Sequence, residues 1–180
     1  DKVATGKAAN QVQVRIAATN RALGKYKDAV KMLTEILREQ NMMLGVQIEA
    51  AYTFQEWAGK MQDGDSKTKL YRQAMRGGGE IDNKTKKYVI WGWGKTARLT
   101  GSNIKFRNAF HESRYNYAKC RFETAKVASR GEQKALFEKA ENDIRLVVTL
   151  FPDMGGNTWK PRYDQLAKDV QKSLGKTPIG

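Results

Sequence analysis

Arg21-Ala-Leu-Gly-Lys-Tyr-Lys-Asp-Ala-Val30, continuing as Lys31-Met-Leu-Thr-Glu-Ile-Leu-Arg-Glu39, carries the cleanest periodic signal in the chain. It predicts a helix ending near Leu23, a turn at Gly24 and a second helix from about Tyr26. Tyr26, Ala29, Val30, Leu33, Ile36 and Leu37 recur at i, i+3, i+4, i+7, i+10 and i+11, one apolar face of an α-helix. Lys27, Asp28, Lys31, Thr34, Glu35 and Arg38 take the opposite face, with Lys31 and Glu35 one turn apart. Two antiparallel helices joined this tightly form an αα-hairpin. Such a hairpin keeps apolar surface that it cannot bury alone, so the rest of the chain is expected to supply more helices against it.

The chain outside that stretch meets the expectation. Residues 1 to 6 read as a frayed start, and a first helix from Lys7 to Leu23 carries Ala9, Val12, Ile16, Asn20 and Leu23 on one side. Small residues at Ala17, Ala18, Ala22 and Ala29 allow close helix approach. A third helix from about Met43 to Lys60 is apolar on two faces, Leu44, Ile48, Ala51, Tyr52 and Gln55 on one and Ala50, Phe54 and Trp57 on the other, as expected of a helix packed between neighbours. Ser66 or Asp65 is the expected cap of a short fourth helix, Lys67 to Arg76, which Gly77-Gly-Gly79 ends. Asp82 or Asn83 is read as the cap of a fifth helix over Lys84 to Leu99. Gly101-Ser-Asn103 opens the longest helix, to about Ala128, with Phe106, Ala109, Phe110, Ser113, Tyr117, Cys120 and Thr124 on one face and Tyr115, Ala118, Phe122 and Ala125 on another. Ser129 and Glu132 have capping-box spacing for a seventh helix, closed by Pro152. A last helix over 158–174 carries Pro161 in its first turn and buries Trp159, Tyr163, Leu166, Val170 and Leu174. The reading is all-α, eight helices and no strand, in a single domain over 1–180.

Charge narrows the class of partner. The 180 residues hold 33 Lys and Arg against 19 Asp and Glu, a net +14. Seventeen basic and six acidic residues fall between Lys60 and Arg130, so +11 sits in the middle of the chain. A basic region favours acidic partners, nucleic acid among them, although it also serves simply as a solubilising surface. Long apolar runs are absent, so no membrane span is expected. The single cysteine, Cys120, excludes an internal disulfide and is compatible with a reducing compartment. A start at Asp1 is what a processed or trimmed piece of a larger protein shows, which leaves room for a lost leader and leaves the compartment open.

The spacing Gly24-x-Tyr26-x-x-Ala29-x-x-x-Leu33, preceded by Ala17 and Ala18, resembles the tetratricopeptide repeat. Residues 8–41 are the best-matching unit, with Gln13 where the family carries Trp and Asn41 where it carries a closing Pro. A looser match spans 102–152, best from Phe110 to Pro152: Ala118 fits the small position, Phe137 and Ala140 the second-helix opening, and Pro152 the close, with an inter-helix loop about ten residues longer than the family's. Residues 43–100 read as degenerate repeat helices and 158–174 as a capping helix. The resemblance implies antiparallel hairpins stacked as a short right-handed solenoid, binding a peptide or partner helix in a groove lined by each unit's first helix. Carried onto the first unit, the groove positions are Gln11, Val14, Ala18 and Arg21. The branch of the family that clamps a terminal carboxylate carries Lys and Asn where this chain has Val14 and Ala18, which argues against that mode.

Nothing in the sequence assembles a catalytic, cofactor or metal site. Gly92-Trp-Gly-Lys-Thr96 ends like a phosphate-binding loop, but the required first glycine is Val89 and no βα pattern surrounds it. His111, the only histidine, has Glu112 beside it but no second His, and no nucleophile is placed for it to activate. Cys120 lies on an apolar stripe and reads as a core thiol. Two binding expectations follow. The first is a non-enzymatic scaffold that binds another protein, with Arg114, Lys119 and Arg121 on the long helix as further contacts for an acidic partner. The second is RNA or DNA binding without sequence preference through the Lys60–Arg130 region, with Lys84, Lys86, Lys87, Lys95 and Arg98 supplying charge and Tyr88, Trp91 and Trp93 stacking faces. Against the latter, Trp at helical spacing is more often core, so burial of Trp91 and Trp93 removes the platform.

Overall fold

The structure, a computed structural model, describes residues 2–177, with side chains from residue 9 onward. Eight α-helices carry about three-quarters of the described chain: α1 (Lys2–Ala22), α2 (Tyr26–Glu39), α3 (Leu44–Lys60), α4 (Gly64–Arg76), α5 (Gly92–Thr100), α6 (Arg107–Val127), α7 (Arg130–Leu150) and α8 (Gly156–Ser173). The protein is all-α. A two-stranded antiparallel ribbon, β1 (Gly78–Ile81) and β2 (Tyr88–Ile90), is inserted between α4 and α5.

The opening hairpin forms as its periodicity dictates. Gly24 turns the chain at φ +76°, a region open to glycine at little cost. Ala29, Leu33, Ile36 and Leu37 of α2 are buried, and Tyr26 stacks on Trp57 of α3 with ring centroids 6.1 Å apart. Thr34, assigned above to the exposed face of α2, is buried instead. Its hydroxyl donates to the Val30 carbonyl at 2.8 Å, and Gly79 of β1 lies over it, so close that a Cβ there would stand 3.2 Å from the hydroxyl. The insertion, a distant segment, covers a face that the local pattern leaves to solvent.

Several boundaries shift, each for a local reason. Helix α1 begins at Lys2 rather than Lys7, its Ala and Lys content carrying it through Gly6. Asp63, not Asp65 or Ser66, caps α4 by accepting from the Ser66 amide at 2.7 Å. The longest helix starts at Arg107 after a 3₁₀ turn over Ile104–Phe106, which Asn103 caps through the Lys105 amide at 3.0 Å. Ser129 sits at the N-cap of α7, but its hydroxyl donates to the Glu132 carboxylate rather than bonding to the backbone. The α6–α7 connection is short; the extra length of this pair lies in its helices, 21 residues each. Helix α8 starts at Gly156, which places Pro161 in its second turn, at the loss of one backbone hydrogen bond.

The largest correction is over 84–99, where a single helix was expected. Gly77 ends α4 at φ +101° and the chain continues as β1. Asp82 does cap, but the amides it accepts from, Lys84 at 3.1 Å and Thr85 at 2.6 Å, belong to the hairpin turn. Tyr88-Val-Ile90 then returns as β2, β-branched and aromatic residues suiting a pleated strand. Only after Gly92, at φ +70°, does α5 begin. Residues 43–100 are therefore two helices, a ribbon and a short helix.

A two-stranded ribbon is marginal alone, and here it is seated on the helices at two points. Gln47 of α3, fully buried, donates from Nε2 to the carbonyls of Asn41 (2.9 Å) and Val89 (3.1 Å) and accepts at Oε1 from the Trp91 amide (2.8 Å). Beside it the backbones of α4 and α5 meet, a Cβ on Gly92 falling 2.5 Å from the Gly77 nitrogen and 2.8 Å from the Ala74 carbonyl.

Helices adjacent in the chain pack in order, α1 on α2, α2 on α3, α3 on α4, α4 on α5, α5 on α6, α6 on α7 and α7 on α8, while α4 also packs on α6, α5 on α3, α1 on α3 and α6 on α8. Two apolar clusters result. One gathers residues of α1 to α5 with Cys120, and the other joins α6, α7 and α8 through Phe122, Phe137, Ile144, Trp159 and Tyr163. Helix α6 divides its two predicted faces between them.

Two substitutions test the seat. Gly92→Ala should cost at least about 2 kcal/mol in urea unfolding, from the positive φ and the backbone clash together, whereas Gly45→Ala, with open space around it, should be neutral or stabilising by up to about 1 kcal/mol. Gln47→Leu, which leaves the Trp91 amide and Val89 carbonyl buried without their partner, should cost about 2 kcal/mol or more and open the 82–87 turn to limited proteolysis.

Candidate binding surfaces

The first surface runs along α3, against which α1 packs and which side-chain hydrogen bonds link to α6. Among the expected groove residues Gln11 is exposed, Val14 is half-buried against the apolar cluster and Ala18 is half-buried. Arg21 is not a free contact. Its guanidinium donates to both oxygens of Glu49, at 2.7 and 3.3 Å, pairs with Glu56, and lies 6.0 Å from the Tyr52 ring centre. Burial disfavours its charge, but the hydrogen bonds and attraction of the two carboxylates outweigh this and hold the guanidinium more firmly protonated.

From Tyr52 the polar contacts run into α6 and α5. The Tyr52 hydroxyl donates to Glu112 at 2.7 Å and accepts from Asn116 at 3.2 Å. Burial, then the Glu112 carboxylate, push its pKa up, so it stays a phenol. Asn116 Oδ1 accepts from Gln55 Nε2 at 2.9 Å, and Gln55 Oε1 accepts the Trp93 indole N–H at 2.7 Å and the Cys120 thiol at 3.2 Å. Cys120 is fully buried, and burial raises its pKa. It is a core thiol.

The three basic residues of α6 are not one patch. Arg121 fastens α6 to α7: it donates to Asp143 at 2.6 Å and to the Lys139 carbonyl at 3.3 Å, and binds the Tyr117 hydroxyl at 3.0 Å. Burial raises the Asp143 pKa, opposed by the positive charges of Arg121 and Arg114. Lys119 is half-buried.

The second surface is a cleft of about 420 Å³ between the ribbon, the end of α4 and α5. Lys86, Lys87, Lys95 and Arg98 line it as their grouping in the sequence leads one to expect; Arg76 joins them and Lys84 does not. Its floor is Ile90 and Trp91, with Tyr88 and Ile81 exposed at the rim. Lys95 Nζ stands 4.6 Å from the Trp91 ring centre. Its pKa is lowered by burial first and then by repulsion from Lys87 and Arg98. The acids of the ribbon are engaged elsewhere, Glu80 in an ion pair with Arg38 and Asp82 by the turn amides. Sequence reasoning misses Arg76 by treating it only as the end of α4. Its spacing from Arg72, i and i+4 opposite the buried Leu70, Tyr71, Ala74 and Met75, is the signal that could have found it.

Trp91 and Trp93 are 5% and 0% exposed, which overturns the aromatic platform; only Tyr88 offers a ring to solvent. Gly92-Trp-Gly-Lys-Thr96 does follow a strand, but it forms the start of α5 itself with only Trp91 between β2 and the helix, and the Thr96 hydroxyl is buried, donating to the Gly92 carbonyl at 2.9 Å. No phosphate cradle exists there.

His111 is fully enclosed by Phe110, Phe151 and Tyr163, and neither ring nitrogen reaches a hydrogen-bond partner among the described residues. A Cβ on Gly155 would fall 2.7 Å from its ring. Burial lowers its pKa, with Asp153 and Arg107, themselves paired at 2.6 Å, acting in opposite directions. Among the described residues no three His, Cys, Asp or Glu side chains gather as a metal site, and no helix is long and apolar enough to cross a membrane.

Comparison of the chain with protein-family models, curated proteins and solved structures finds no match.

Because the folded state holds His111 neutral, the unfolded chain takes up the proton first as pH falls. The stabilisation from the neutral ring is complete above about pH 6.5 and is lost as pH falls from there towards the depressed folded pKa, with a slope of at most about 1.4 kcal/mol per pH unit. Urea midpoints between pH 7.5 and 5 should show that decline in the native chain and a flatter profile in His111→Leu; equal slopes would refute it.

Proposed function

We propose that the chain is a tetratricopeptide-like helical-repeat module, a short right-handed solenoid without covalent chemistry of its own, that binds another protein along the side formed by α1, α3, α6 and α8. The observation that carries this reading is the order in which the helices pack. The first helices of successive hairpins meet one another, α1 with α3 and α6 with α8, and Tyr52, Gln55, Glu112 and Asn116 tie α3 to α6. A preformed row of helices offers a partner a surface that loses little entropy on binding.

The chemistry of that side limits what it takes. Val14 and Ala18 supply no carboxylate clamp, and Arg21 is satisfied internally by Glu49 and Glu56. Glu56 retains exposure and Arg162 of α8 stacks 4.7 Å from the Trp159 ring centre. A mixed-charge helix or extended segment suits the surface better than a uniformly acidic tail does.

A photoreactive residue placed at Gln11, Glu56 or Lys119 should capture discrete protein adducts from native extract, unchanged by nuclease and by high salt, while the same residue at Lys31 of α2 or Lys134 of α7 should not. Adducts equal from both sets, or abolished by nuclease, would overturn the reading.

A further inference from the structure

We propose that the cleft between the β1–β2 ribbon, α4 and α5 is a phosphate-binding groove for single-stranded nucleic acid, continuing past Arg76 into the neighbouring cleft between α4, α6 and α7. Three observations converge on it.

The first is uncompensated charge. Arg76, Lys86, Lys87, Lys95 and Arg98 come from three separate elements to one concavity, and none forms an ion pair with an acid among the described residues. The two acids of the ribbon are already occupied, Glu80 by Arg38 and Asp82 by backbone amides. Like charges held together against a low-dielectric floor repel one another, and an anionic occupant removes that repulsion.

The second is the kind of hydrogen bonding on offer. Arginine and lysine only donate, the Tyr88 hydroxyl is the one lining side chain that can also accept, and the remaining lining side chains are apolar or, like the Trp91 indole, donor-only. A phosphodiester backbone only accepts, so its oxygens match the lining. A peptide brings N–H donors that these side chains leave without acceptors. This asymmetry favours a phosphodiester backbone over a peptide backbone.

The third is extent. Arg76 also lines a second cleft of about 220 Å³ with Arg72, Arg121 and Lys139. Arg121 is committed to Asp143, but Arg72, Arg76 and Lys139 continue the donors beyond the first cleft. Tyr88, 47% exposed at the rim, gives one unstacked base a ring to lie on. With Trp91 and Trp93 buried, affinity comes from phosphate contacts and carries no sequence preference.

The test is fluorescence anisotropy of the full chain with a labelled oligouridylate, an equal-length duplex, and polyglutamate as competitor. The expected result is single-strand binding that weakens steeply as salt rises. Lys87→Gln/Arg98→Gln, both exposed side chains, should weaken it at least about tenfold and lower the log–log salt slope by about 0.7 for each phosphate that is no longer neutralised, with an unchanged thermal melt. Lys27→Gln/Lys31→Gln on α2, which removes the same charge elsewhere, should leave binding within about twofold, because long-range charge alone acts weakly at moderate salt. No binding at low salt, equal weakening in the two double variants, or unchanged binding in Lys87→Gln/Arg98→Gln overturns the proposal. Tighter binding to duplex overturns the single strand, and equal competition by polyglutamate overturns nucleic acid. Capture from Glu56 should persist in Lys87→Gln/Arg98→Gln, so failure here and failure of the protein-binding reading are separately visible.

Discussion

One buried amide determines whether the basic cleft exists. Gln47 on α3 satisfies backbone groups on both sides of a chain reversal, the Asn41 carbonyl after α2 and the Val89 carbonyl and Trp91 amide of the insertion. A ribbon of two short strands has too little apolar surface to hold its own conformation. Its position comes from this amide, from the Trp93 indole reaching Gln55 two turns further along α3, and from backbone contact at Gly77 and Gly92. Lys86 and Lys87 stand opposite Lys95 and Arg98 only because the ribbon is fastened at these points.

The two surfaces differ in how their charge is balanced. On the α1–α3–α6 side the central charges are met within the protein, Arg21 by two glutamates and Glu112 by the Tyr52 hydroxyl. Those contacts serve the cohesion of the helices. The cleft by the ribbon is the reverse. Its cations have no internal counterparts, and Lys95 gives up part of its hydration to lie over Trp91. A surface so arranged gains by meeting an external anion.

What could be read from the sequence follows the distance over which each signal acts. The α1–α2 hairpin, the two faces of α6 and the end of α4 at Gly77 rest on neighbours within a few turns, and the all-α class follows from them. The ribbon escapes such a reading because its local signals are ambiguous. Asp82 followed by polar residues caps a helix or a turn equally well, and Tyr88-Val-Ile-Trp91 is too short to show which period it follows. The same omission misplaces Thr34, whose cover arrives from 45 residues away at Gly79. At the cleft, Lys86, Lys87, Lys95 and Arg98 group together because they are close in sequence, whereas Arg76 lies across a chain reversal that only the ribbon reveals. Trp91 and Trp93 show why composition alone misleads: an aromatic-rich basic segment can spend its rings on the core and leave only its charge outside.

Helix α6 belongs to both halves of the interior. Cys120 and Tyr117 face the cluster built from α1 to α5, while Ala118, Phe122 and Ala125 face α7 and α8. A single helix that walls two compartments makes their partial openings unequal. Release of α7 and α8 strips one side of α6 but leaves its contacts with Tyr52, Gln55 and the apolar residues behind them. Loss of α6 itself dissolves both compartments at once. An opening confined to α7 and α8 disturbs one compartment, whereas an opening that includes α6 disturbs both, so the amide protons of α6 are expected to exchange through the larger excursion.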